Sequence, residues 1–475
     1  MDSTDATYRS EQTPKLPPPV YLKSPEPQFE AFFGDALAFD GQAAIVASSF
    51  ANVESEGGLL ERAGAAYLFE SANWHAPTHL RIPDPDAGDG EIEPDLLPDE
   101  APNFLIEWPG ARVALGERWV AVSLAGDDGA NDTISSSGAV YVFDRRKITE
   151  PPRVVRAANA DPSDLFGVGL AISGDTLVVG APGEASALAD TSSEDLTERM
   201  ANNGAAKAGA VYVYTLREGG FDPVQYLKAP QPTAENFFGT SLALEGDVLA
   251  VGAPTQNFTK DGAKLDANGA VYVFRRGAEG FRLERELRPS APARRNFFGV
   301  SVSLSKSLLA IGAPGATGCD PNHPAAAAGD LAARPGAVYV VNEQGGSWQI
   351  EGSCLSPANL QGGNGFGYSA SVSEAYLLVG APLDSTGRAD VNALRLSGSA
   401  HLFARVSAGV ERVNQLVKAP VIGNSDAFGY TVVAAGAGFA VGAPRESGGQ
   451  TGAAADLTDD TQHWAGAAYV FKPDP

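Results

Sequence analysis

Phe237-Phe238-Gly239 opens a stretch that runs through Thr240-Ser241-Leu242-Ala243-Leu244, Glu245-Gly246-Asp247 and Val248-Leu249-Ala250-Val251 to Gly252-Ala253-Pro254. It closes at Gly269-Ala270-Val271-Tyr272-Val273-Phe274. The phrase recurs as Phe166-Gly167 with Gly180-Ala181-Pro182, Phe298-Gly299 with Gly312-Ala313-Pro314, Phe366-Gly367 with Gly380-Ala381-Pro382, and Phe428-Gly429 with Gly442-Ala443-Pro444. In every copy the second Gly lies 13 positions after the first. Two worn copies keep the spacing: Phe33-Gly34 with Ala47-Ser48-Ser49, and Pro109-Gly110 with Ser123-Leu124-Ala125. Each copy then reaches a Gly and an apolar run, at Gly64, Gly138, Gly209, Gly269, Gly336, Gly398 and Gly466. Self-similarity at a period of tens of residues is the signature of propellers and solenoids.

The phrase reads as a blade. Thr240 to Leu244 and Val248 to Val251 are two short strands joined by a tight turn. Ala270 to Phe274 is a third, rich in the β-branched and aromatic residues that suit a half-buried pleat. Val224-Gln225-Tyr226-Leu227-Lys228-Ala229-Pro230 shows the fourth, ended by proline. No stretch carries a sustained helical period. The expectation is an all-β, seven-bladed β-propeller of four-stranded antiparallel blades. Val20-Tyr21-Leu22-Lys23-Ser24-Pro25 matches the fourth-strand phrase but precedes the first copy, whereas the last copy ends at Phe471 without one. The N-terminal strand is therefore expected to complete the last blade and close the ring. Residues 1–19, with Pro17-Pro18-Pro19, read as a flexible tail, and 20–472 as a single propeller.

These motifs resemble the FG-GAP repeat family, known from the propeller heads of integrin α subunits, and among its members the bacterial surface and secreted ones. The resemblance covers roughly residues 20–472. It implies a protein- or glycan-binding propeller without a common catalytic activity. Integrin-like members often lengthen the first hairpin of a blade into an acidic calcium loop. Here those turns read Ser173-Gly174-Asp175, Glu245-Gly246-Asp247, Ser305-Lys306-Ser307, Ser373-Glu374-Ala375 and Ala435-Gly436-Ala437, each with at most two carboxylates. The family calcium sites are expected to be absent and no cofactor to be required.

With 34 basic against 58 acidic side chains the net charge is −24, a field that repels nucleic acid. No transmembrane run or apolar signal segment is visible, and the family places the protein outside the cell, at its surface or in a periplasm, as a monomer. Two cysteines, Cys319 and Cys354, belong to one unit and could bridge.

The loops between the Gly-Ala-Pro position and the closing Gly hold 12 to 26 residues, against two or three in the first hairpins. They emerge on one face, where recognition on a rigid scaffold is expected. Candidate ligand contacts on it are Trp108, Arg294-Arg295 and His463-Trp464. Two acidic stretches are weak calcium candidates: Asp84, Asp86 and Asp89, and Asp127, Asp128 and Asp132. The favoured function is a non-enzymatic recognition or adhesion module binding a protein or glycan through the long-loop face. The alternative is a lyase or hydrolase with carboxylates in the central funnel, for which no acid–base constellation can be assembled from the sequence.

Overall fold

The computed structural model describes residues 16–55, 58–83, 89, 110–129, 132–189, 195–260, 262–319, 334–350, 354–356, 363–385, 396–406, 409–451, 455, 456 and 458–472. Seven antiparallel sheets form a closed ring of blades. In blade 4 the strands are Ser241–Glu245, Val248–Ala253, Ala270–Gly277 and Gly280–Leu287, from the axis outward. The inner strands of adjacent blades lie side by side around the axis, the last of them, Thr431–Ala435, against Ala36–Phe39 of the first. Blade 5 departs slightly, its outer edge being split into Ser347–Gln349 and Cys354–Leu355. Among the described residues the only α-helix is Leu196–Ala201, in the long loop of blade 3, where Asp195 accepts the Glu198 N–H.

The ring closes as the sequence predicts. Val20–Leu22 pairs antiparallel with Ala467–Phe471, with Tyr21 opposite Tyr469, and forms the outer strand of blade 7. Behind it the Lys23 ammonium bonds the Glu446 carboxylate, both buried, and Tyr21 donates to Glu446 Oε1 at 3.2 Å. Leu16, ahead of this strand, lies against the blade 7 core.

Physical necessity explains the glycine phrase. The closing Gly of one blade touches the Phe-Gly corner of the next: a Cβ at Gly209 would sit 2.0 Å from the Phe238 carbonyl oxygen, and Gly209 has φ +84°. The Gly of Gly-Ala-Pro meets that corner from the other side, with a Cβ at Gly252 falling 2.1 Å from the Gly299 oxygen. At the closing Gly no side chain fits, whereas the Gly-Ala-Pro position tolerates only the small Ala47 and Ser123 in blades 1 and 2. The Phe is the wedge between blades. Phe238 is fully buried, edge-on to Tyr272 with ring centroids 5.5 Å apart, in a core drawn from blades 3 and 4. The core is thus a set of inter-blade layers, each sheet burying both faces against its neighbours.

Candidate functional site

The long-loop face is built on the segments before each Phe-Gly. Glu235 and Phe237 both have positive φ, as do Arg295 and Phe297 in the next blade. This zigzag lets Phe237 and Phe238 donate their N–H groups to the Lys207 and Ala208 carbonyls of the preceding blade's long loop. Among the described residues the long loops of blades 2 to 7 are each strapped to the following blade in this way, so the face is rigid at its root. Extra hairpins, Val53–Ser55 with Gly58–Leu60 and Phe258–Lys260 with Ala263–Leu265, rise from the long loops of blades 1 and 4.

At the seam where blade 7 meets blade 1 this geometry brings aromatic residues from both ends of the chain together. Trp464 and His463 stack with ring centroids 4.5 Å apart, and Phe29 lies 5.7 Å from His463. Phe32 sits 5.7 Å from Trp464 and edge-on to Phe50 at 5.1 Å. Arg445 covers the Trp464 ring at 5.2 Å and Arg62 the Phe50 ring at 5.3 Å. Phe29 is 63% exposed, His463 is exposed, and the other three rings are half-buried. The equivalents of Phe32 in blades 4 and 5, Phe237 and Phe297, are buried in an apolar cluster with Leu165 and Leu383. Only the seam turns this ring position outward among those phenylalanines. His463 and Trp464 are legible as candidates in the sequence. Phe29, Phe32, Phe50, Arg62 and Arg445 are not, because only ring closure brings residues 29–62 against 445–464.

The inner strands line a central cavity of about 200 Å³. Its wall is mostly neutral. The hydroxyls of Ser241, Ser301, Ser369 and Thr431 each donate to the first Gly carbonyl of the following blade, at 2.7, 3.2, 2.9 and 2.8 Å. Blade 2 carries Arg112 at that register position, and its Nε donates to the Val168 carbonyl at 3.1 Å. On the neighbouring inner strands of blades 6 and 7 the rings of Tyr368 and Tyr430 lie 5.0 Å apart. Asp35, one position after the first Gly of blade 1, is almost completely buried. Its Oδ2 accepts the Ser49 N–H and its Oδ1 has no partner. Burial pushes its carboxyl up to about 7, against the opposing pull of the Ser49 hydrogen bonds and the Arg112 charge.

The remaining sequence candidates fall as follows. Trp108, Asp84 and Asp86 lie outside the described residues. Asp89 is buried. Asp127 is buried as well: Tyr141 donates to its Oδ2 at 2.6 Å, Arg156 pairs with its Oδ1 at 3.0 Å, and the Gly129 N–H bonds it. Asp128 accepts the Ser136 N–H, and Asp132 is exposed at φ +53°. Asp127, Asp128 and Asp132 are thus not gathered on one point, and among the described residues no three His, Cys, Asp or Glu side chains are placed to hold a metal ion. Arg294 pairs with Asp266 at 2.8 Å. Arg295 is half-buried, and the buried Arg334 pins this segment by donating to the Arg294 and Gly315 carbonyls. Cys319 and Cys354 form a disulfide, Cα atoms 5.5 Å apart. No described helix is long and apolar enough to cross a membrane.

Residues 154–214 and 222–274, from the outer strand of blade 2 to the third strand of blade 4, match the FG-GAP repeat family. No curated protein matches the chain in sequence. Among solved structures it is similar to the Saccharomyces cerevisiae protein Sqt1, at 9% identity over 96% of this chain and 98% of that one, with a TM-score of 0.41. It is also similar to the WD40 domain of Neurospora crassa Pan2, at 9% identity over 93% and 89%, with a TM-score of 0.46. With the family match lying on the phrase that the other blades repeat, and with the ring closed from Val20 to Phe471, the chain is an FG-GAP repeat β-propeller.

Proposed function

We propose that this protein is a non-catalytic recognition module that engages a macromolecular ligand through its long-loop face, anchored at the seam of blades 7 and 1. The observation that carries this reading is the surface of Phe29, Phe32, Phe50, His463 and Trp464 flanked by Arg62 and Arg445. Partly exposed aromatic residues beside arginine are the composition of interface hot spots. Solvent-exposed apolar rings held in place by a rigid scaffold also lower the entropy lost on binding. A protein ligand is favoured over a glycan, because the overall charge of −24 would steer a basic protein surface toward the ring. The Cys319–Cys354 disulfide supports a cell-surface, secreted or periplasmic setting.

The lyase or hydrolase alternative needs paired acid and base groups in the funnel. Among the described residues that line the cavity none is a carboxylate, and the nearby Asp35 is buried, so recognition is preferred. The test is solid-phase binding of the labelled protein to panels of purified surface proteins and of glycans, with Phe29→Ala and Trp464→Ala alongside. A protein ligand whose binding falls about tenfold or more in Trp464→Ala is expected. The same loss on a glycan transfers the anchor to carbohydrate. Ligand binding indifferent to both substitutions would falsify the seam as the anchor.

A further inference from the structure

The second unit departs from the repeat in two places at once, and the two departures compensate. In blades 4 to 7 a Ser or Thr on the inner strand spends its hydroxyl on the next blade's Gly carbonyl, as Ser241 does on Gly299, while blades 1 and 3 carry Ala36 and Gly169 there. In blade 2 that bond comes from Ser123, which stands where five other units have the Gly of Gly-Ala-Pro and donates to Gly167 O at 2.7 Å. The inner-strand position is thereby released from holding the ring together, and it carries Arg112. Only the guanidinium Nε is engaged, on Val168 O. Among the described residues the terminal amines of Arg112 take no hydrogen bond and no carboxylate forms an ion pair with it.

Among the described residues Arg112 is the one charged side chain lining the cavity. On the same cavity wall, in blades 6 and 7 and so three and two blades away round the ring, stand the paired rings of Tyr368 and Tyr430. The wall between is small and uncharged, with Gly169, Ser301 and Val300 among its residues. We propose that the central channel is a binding site for a small carboxylate carrying a six-membered ring, its carboxylate on Arg112 and its ring against Tyr368 and Tyr430. A guanidinium fork matches a carboxylate geometrically, and tyrosine faces accept both aromatic rings and the C–H face of a sugar. The cavity volume of about 200 Å³ suits a ligand of one ring. Asp35 does not spoil the site at neutral pH, because its burial leaves a large share of it protonated and Arg112's charge uncompensated. The field of the whole acidic molecule opposes anions, so selection rests on contact inside the channel rather than on attraction from a distance. This site is separate from the seam surface.

The ring can come from an aromatic acid or from a uronic acid, and the experiment separates them. Thermal unfolding is followed with millimolar benzoate or glucuronate, and with benzyl alcohol or methyl glucoside as neutral counterparts, since a ligand of the folded ring raises the midpoint. At least one carboxylate is expected to raise it while its neutral counterpart does not. Arg112→Gln is expected to weaken binding about tenfold or more. Should Arg112→Gln fail to fold, saturation-transfer NMR on the unaltered protein replaces it, with signal expected from the carboxylate and none from the neutral molecule. Absence of any response to both carboxylates, an equal response to the neutral compounds, or an undiminished response in Arg112→Gln overturns the proposal.

Discussion

Repetition makes single residues informative, because each blade is a control for the others. Two positions before the Phe, blades 4, 5 and 6 carry Asn236, Asn296 and Asn364, whereas blades 3 and 7 carry Asp164 and Asp426. Both Asp residues are buried, and both carboxyls are pushed up to about 7, first by burial. A carboxyl whose folded pKa lies above its unfolded value binds protons more tightly when folded. Its stabilisation is fully present below about pH 4 and is lost as pH rises through 7. His401 opposes this on the acid side. It occupies the third-strand slot held by Tyr272 in blade 4, and burial lowers its pKa to about 4. Its contribution is present above about pH 6.5 and is lost as pH falls toward 4. Asp164→Asn together with Asp426→Asn should therefore raise the unfolding midpoint at pH 8 while changing it little at pH 4, by about 1–3 kcal/mol per site. Urea unfolding across that range measures it; an unchanged slope on the alkaline side refutes the assignment. Gly209→Ala should cost about 3 kcal/mol or more, because both φ and the Phe238 carbonyl exclude a Cβ.

At the scale of elements, the outer strand of blade 7 is a vulnerable join, since three residues supplied by the other end of the chain close it. Deleting residues 1–24 should lower the unfolding midpoint and expose the Ala467–Phe471 edge, giving concentration-dependent association by light scattering. Lys23→Met tests the clasp more gently. It leaves the Glu446 carboxylate buried beside Tyr21 without its cation, for a cost of about 3–5 kcal/mol. An equivalent buried pair, Lys228 with Glu184, braces blade 3, and Lys418 with Asp384 braces blade 6. In blade 5 the Cys319–Cys354 bridge joins the long loop to the outer edge. Reducing it should lower stability by up to about 4 kcal/mol, through the entropy of the 35-residue separation it closes.

For the whole molecule, the short first hairpins have a consequence for metal dependence. In the structure they are tight turns: Gly174 and Gly246 adopt φ +57° and +55°, and the Gly246 N–H bonds the Ser173 hydroxyl of the neighbouring blade. The ring is proposed to be stable without calcium. Chelator-treated protein should unfold at the same midpoint with and without millimolar calcium. A clear rise on adding calcium would instead point to a loop of the elaborated face.

The sequence by itself determined the number of blades, the four strands in each and the crossing of the N-terminal strand into the last blade. It could do so because the first and the closing glycines sit where a Cβ cannot, against the neighbouring blade, and each copy repeats both. His463-Trp464 was legible as a candidate on the same grounds, a pair of large rings just before a closing strand. Tertiary structure alone decided what those rings meet, because Phe29 and Trp464 are neighbours only once the ring is shut. It also decided that Asp127 answers to Tyr141 and Arg156, and that Arg112 shares the channel with Tyr368 and Tyr430. Strand patterning is written in neighbours along the chain, whereas a site on a ring is written across blades, in contacts that no local spacing records.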